Sequence, residues 1–160
     1  MPSIANNRVI TFAARLIATA GGAGYAPIAP GTCGTLVAVP LAWALRDLGL
    51  APYLAVTAAI TLLGIGAASL ADASWGTHDS GRIVIDEVAG YLVTLVAVPR
   101  GDWRALAAGF VIFRVLDIVK PPPVRQVDQR LGGGTGVVLD DVLAGLYGAP
   151  ALWLLYGAFA

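Results

Sequence analysis

Residues 51–71, APYLAVTAAITLLGIGAASLA, run for 21 residues without a charge. As a helix rising about 1.5 Å per residue, such a stretch reaches across a hydrocarbon core of about 30 Å. Within it Gly64, Gly66, Ala67 and Ala68 offer a small-residue face for close helix packing. Residues 142–160 form a second uncharged run of 19 residues, which Pro150 is expected to kink or split because proline donates no backbone hydrogen bond. Shorter apolar runs at 88–99 and 105–113 end in charged residues and read as helices packed inside a bundle. The expected fold is therefore all-α: a compact, membrane-embedded helical bundle with short irregular Gly/Pro-rich loops, forming a single domain over 1–160.

Composition agrees, with 58% hydrophobic and 12% charged residues against about a quarter charged in ordinary soluble domains. Lys plus Arg and Asp plus Glu both total 10, so charge gives no reason to expect nucleic acid as a partner. The distribution is uneven: eight of the ten acids and seven of the ten bases fall between residues 79 and 141. One cysteine, Cys33, excludes an intrachain disulfide, and one histidine, His78, excludes a His-rich metal site. Arg15 interrupts the first apolar run, so residues 1–20 are read as part of the mature fold rather than as a signal peptide. Val9, Ile10, Phe12, Ala13, Leu16 and Ile17 share one helix face, fit either to lie along a surface or to pack on a core. Trp43, Trp75, Trp103 and Trp153 stand near the ends of apolar segments, as interfacial tryptophans and core tryptophans both do. Bases in the links 72–87 and 114–141 place those links on the cytoplasmic side, while Arg100 and Arg104 oppose a simple alternating topology.

The charged segment is where chemistry concentrates. Arg114, Asp117 and Lys120 recur at i, i+3, i+6 and make one polar stripe on a helix, which is also the pattern of a salt-bridge ladder. Pro121-Pro122-Pro123 ends that helix, Arg125 follows, and the glycines of 132–136 read as a flexible link more readily than as a phosphate cradle. Gly81-Arg82-Ile83-Val84-Ile85-Asp86-Glu87-Val88 and Gly136-Val137-Val138-Leu139-Asp140-Asp141-Val142 share a design: glycine, apolar run, two acids, valine. N-terminal acids also complement a helix dipole; a dipole accounts for one acid per helix, not for two embedded among apolar residues. With both pairs at helix entries, two acidic corners converge, with Asp117 as a fifth carboxylate. Oxygen-only ligands suit hard cations, Mg²⁺ before Mn²⁺ or Ca²⁺. Carboxylates for a cation beside Arg and Lys for an anion fit metal-assisted hydrolysis of a phosphate ester on a lipid. Other phosphatase chemistries lack their residues: there is no Cys-x5-Arg, no Asp-x-Asp, and one histidine cannot serve a two-histidine mechanism.

Four ordered blocks then resemble the phosphatidylglycerophosphatase A family over nearly the whole chain. They are Pro27-Ile28-Ala29-Pro30-Gly31-Thr32, Ile83-Val84-Ile85-Asp86-Glu87 with Gly90, Phe113-Arg114 through Asp117 to Lys120-Pro121, and Gly136 through Asp140-Asp141 to Gly145. The resemblance implies a bacterial inner-membrane, Mg²⁺-dependent phosphatase acting on phosphatidylglycerophosphate, with the family's acidic motif on Asp86, Glu87, Asp140 and Asp141. Its Arg-x-x-Asp-x-x-Lys-Pro motif falls on Arg114, Asp117 and Lys120. Cys33 and Thr35 depart from the family's usual tryptophan and serine and read as packing changes.

The expectation is thus that Asp86, Glu87, Asp117, Asp140 and Asp141 carry the catalysis. Asp86, Glu87, Asp140 and Asp141 would hold Mg²⁺, and Thr32, Arg114, Lys120 and Arg125 would bind the phosphate. Partners would be the lipid substrate and the membrane, with the site on the cytoplasmic side and the oligomeric state open. Two alternatives stay open from the residues: a cation transporter or channel using the embedded acids, and a soluble relative acting on a small phosphate ester.

Overall fold

The computed structural model describes residues 7–122, 124, 126 and 131–159. Arg125, expected to bind phosphate, lies outside them. The chain forms an all-helical bundle of α1 (Arg8–Ala18), α2 (Pro30–Ala44), α3 (Leu50–Trp75), α4 (Ile85–Thr94), α5 (Trp103–Val119) and α6 (Gly133–Phe159), with a 3-10 turn at Ala23–Tyr25. No strand occurs among the described residues.

Two helical hairpins give the bundle its sense. α3 and α5 run toward one end, and α4 and α6 start from it. At the other end the Tyr53 hydroxyl, early in α3, donates to the Leu92 carbonyl late in α4 at 2.7 Å, and the Tyr156 hydroxyl of α6 donates to Asp102, the N-cap of α5, at 2.7 Å. Tyr53, Tyr91, Phe113, Leu92 and Leu152 fill the core between them. α1 runs alongside α3, where Arg15 Nε donates to Ser74 Oγ at 2.8 Å. Its buried residues are Ala14 and Ala18, while Val9 and Phe12 point outward, 76% and 68% exposed, so its apolar face is an outer surface.

Backbones approach closely where glycine removes the side chain. A Cβ on Gly90 would stand 2.5 Å from the Asp141 carbonyl oxygen and 2.5 Å from Phe113 Cε2, and one on Gly145 would collide with the Gly90 carbonyl. Packing without side chains between them brings α4 and α6 together at the level of their acidic pairs. The glycines of 132–136 are not a link: α6 begins at Gly133, and a Cβ at Gly134 would run into the Ile65 carbonyl and Ser69 of α3. Close contact of Gly134 with α3 holds the first turn of α6. Nor does Pro150 split α6, which passes through it. Its ring is at an exposed position while neighbouring Ala149 and Leu152 are buried in the bundle, and that packing holds the turn whose hydrogen bond proline omits.

The cap of α2 is Ala29, with a left-handed backbone at φ 49° and no side-chain cap bond. Pro30, pre-set for the first helical position, starts the helix early and leaves Thr32 inside its first turn.

Two helices, Leu50–Trp75 and Gly133–Ala158, are long and apolar enough to cross a membrane. Only 28% of the most apolar stretch of α3 is buried, unlike the core helix of a soluble protein, and Leu62, Leu63 and Leu154 are all largely exposed. Such a surface associates with a membrane.

Candidate active site

The charged residues meet at the end where α4 and α6 begin. Asp86 and Glu87 lie in the first turn of α4. Asp140 and Asp141 lie further into α6, because that helix begins earlier than its apolar run suggests. Each pair has the same local form: the second acid's backbone N–H donates to the first acid's Oδ1 at 3.0 Å, Glu87 to Asp86 and Asp141 to Asp140.

Beyond that the pairs divide their side chains. One oxygen from each of Asp86, Glu87 and Asp141 lies within 4.8 Å of the other two. Asp140 instead accepts from Lys120 Nζ at 2.6 Å. Arg114 Nη1 donates to Asp117 Oδ2 at 2.6 Å and stands 3.5 Å from Glu87 Oε1. The expected ladder on α5 is therefore half present: Arg114 pairs within its helix, and Lys120 reaches across to α6. Lys120 is the C-cap of α5 in a left-handed conformation, φ 45°, uncommon for a residue with a Cβ and costing of order 1 kcal/mol or more. That turn, made at the prolines, carries the ammonium over to Asp140.

Glu87 packs its carboxyl against the Cα of Gly31, where any side chain would strike Glu87 Oε1. Here the PIAPGT segment has its use: α2 brings a bare backbone to the acidic cluster. Thr35, buried one turn on, donates to the Gly31 carbonyl at 3.0 Å. Thr32 is not among the residues lining the pocket described next.

A cavity of about 310 Å³ opens over the cluster, lined by all five expected acids together with Arg114 and Lys120. It is at the small end of ligand pockets, about 300–1,000 Å³, and so suits a head group rather than a whole lipid. Part of its wall is the loop Asp79-Ser80-Gly81. Asp72, buried at the end of α3, organises that wall, and nothing in a lone acid closing an apolar run signals such a role.

The cluster's electrostatics ask for a cation. Burial pushes the Asp86 carboxyl well above its usual range, and the nearby Glu87 and Asp141 charges add to it. Burial raises Glu87 as well, with the Asp86 hydrogen bond and the Arg114 charge pulling back. Two buried acceptors, Glu87 Oε2 and Asp141 Oδ2, have no hydrogen-bond donor. Leaving buried charge uncompensated costs several kcal/mol per ion. Three clustered carboxylates, two of them with an orphaned acceptor, fit a hard divalent cation.

A family model described as phosphatidylglycerophosphatase A matches residues 16–156. The chain belongs to the phosphatidylglycerophosphatase A family. A phosphatidylglycerophosphatase A of Escherichia coli K12 is 40% identical over 140 residues, covering 88% of this chain and 81% of the relative. One from Haemophilus influenzae is 41% identical over 133 residues, 82% of each chain. A putative phosphatidylinositol-3-phosphatase of Bacteroides thetaiotaomicron is 43% identical over 154 residues, 88% of this chain and 94% of the relative. No solved structure matches. As a phosphatidylglycerophosphatase A family member the chain is a phosphatase, and the matched span contains every acid and base of the pocket.

Proposed function

We propose that the protein hydrolyses the terminal phosphomonoester of phosphatidylglycerophosphate, with Mg²⁺ held by Asp86, Glu87 and Asp141, at the cytoplasmic face of a bacterial inner membrane. The observation that carries this reading is the joining, in one head-group-sized cavity, of a buried carboxylate cluster with Arg114 and Lys120. Two cations beside the acids attract a phosphate and repel a permeant cation, which favours hydrolysis over transport.

When bound, the divalent cation supplies positive charge to a phosphate oxygen and acidifies water. Arg114 and Lys120, held at 2.6 Å by Asp117 and Asp140, orient and neutralise the remaining phosphate oxygens. Water attacks phosphorus and the bond to the glycerol oxygen breaks. A pocket carboxylate takes the water's proton and passes it to the leaving alkoxide, giving phosphatidylglycerol and inorganic phosphate. The apolar helices hold the acyl chains, and α3 and α6 cross the bilayer.

The test is phosphate release from phosphatidylglycerophosphate in detergent micelles, with Mg²⁺ or with EDTA. Release in Mg²⁺ that stops in EDTA is expected; no release with any divalent cation would sink the reading. A second prediction concerns pH. In EDTA, Asp86 and Glu87 hold protons in the folded state that they have lost in the unfolded chain. Their contribution is therefore full below the ordinary carboxylate range, about pH 4, and is lost as pH rises through the raised folded values. The melting temperature in EDTA should fall as pH rises across that window, and Mg²⁺ should restore more at the upper end than at the lower. A flat profile in EDTA would contradict the burial of these charges.

A further inference from the structure

We propose that Asp79 recognises the hydroxyl group next to the phosphate-bearing carbon of a polyol head group, and that Asp72 is the positioning residue that holds it in place. The proposal rests on the phosphatase reading above and extends it to the part of the head group that does not react.

The pocket lining is of two unlike kinds: the cations Arg114 and Lys120, and the loop Asp79-Ser80-Gly81. A carboxylate is an acceptor only. Asp79 therefore repels the phosphate and needs a donor, and phosphatidylglycerophosphate offers one: the glycerol hydroxyl one carbon from the phosphomonoester. With the phosphate seated against the cations, that hydroxyl is the donor left for Asp79 within a cavity of about 310 Å³.

The loop is built rather than loose. Asp72, 4% exposed, accepts from Thr77 Oγ1 at 2.8 Å and Ser80 N at 3.1 Å on Oδ1, and from Asp79 N at 2.8 Å on Oδ2. Its backbone carbonyl also takes the N–H groups of Gly76 and Thr77. Ile83 N closes the next turn onto the Ser80 carbonyl at 2.8 Å. Asp79 is held with φ 57°, so its side chain leaves the backbone in a direction that an ordinary extended or helical residue would not give. One buried carboxylate thus fixes the residue that faces the substrate, and its two oxygens are engaged away from the pocket.

The experiment compares phosphate release from phosphatidylglycerophosphate and from its analogue built on propane-1,3-diol, which lacks the hydroxyl, in Mg²⁺-containing micelles. The wild-type protein is expected to favour the hydroxyl substrate in kcat/KM by about ten- to a hundredfold, the range of one hydrogen bond to a charged group. Asp79→Ala, at an exposed position, should abolish that preference by raising KM for the hydroxyl substrate while leaving the analogue unchanged. Asp72→Asn, which turns an amide toward backbone donors, should do the same. Equal wild-type rates on both substrates, or an Asp79→Ala loss of equal size on both, would overturn the proposal. Absence of release from either substrate would remove the phosphatase reading and this proposal with it.

Discussion

Asp141→Asn is expected to lower kcat on phosphatidylglycerophosphate by about a hundred- to a thousandfold, the range for loss of one preorganised electrostatic contact, while making the metal-free protein more stable. Both effects follow from one carboxylate. Asp141 is 4% exposed, with one oxygen lacking a donor and two acidic neighbours within 4.8 Å. Neutralising it removes like-charge repulsion and a buried charge, a gain of about 1 kcal/mol or more in EDTA. It also removes a third of the oxygen cluster that would hold the cation, so Mg²⁺ should raise the melting temperature less than in the wild type. Lower activity with an unchanged Mg²⁺-dependent thermal shift would separate Asp141 from the cation. Trading stability for function in this way is what a site of repelling acids implies.

Gly90→Ala should be the most damaging small substitution in the bundle. Its added methyl meets the Asp141 carbonyl oxygen and the Phe113 ring at 2.5 Å. A ring edge gives way, but the backbone of α6 does so only by moving the helix. Overpacking of this kind costs about 1–3 kcal/mol, and here the displacement also parts Asp86 and Glu87 from Asp141. Thermal unfolding in micelles and phosphate release should therefore both fall. Gly66→Ala, where the new Cβ meets nothing within 4 Å, is the control and should leave both unchanged. If Gly90→Ala retained full activity, the crossing of α4 and α6 would not set the site.

Sequence carried the bundle and the identity of the site's acids, because uncharged runs and doubled carboxylates among valines have few other physical uses. It did not carry their division of labour. Neighbours on an α-helix point about 100° apart, so Asp140 and Asp141 must face different partners. Which one joins Asp86 and Glu87, and which meets Lys120, depends on how α6 is rotated against α4. Gly90 and Gly145 decide that rotation, and each reads in isolation as a helix-weakening residue. Likewise Gly134 carries a turn signal that contact with α3 overrides. Asp72 was illegible for the opposite reason: apart from the Thr77 hydroxyl its partners are loop amides, which almost any residue type supplies.

The crossing of α4 and α6 has a consequence for biosynthesis. Asp86 and Glu87 emerge from the ribosome before α5 exists, whereas Asp141 and the helix that covers α4 follow α5. A nascent chain halted after α5 has two of the three clustered acids and no Gly145 against which Gly90 can rest. The site is thus completed only once α6 has been made, and a product truncated before it has no means of assembling it.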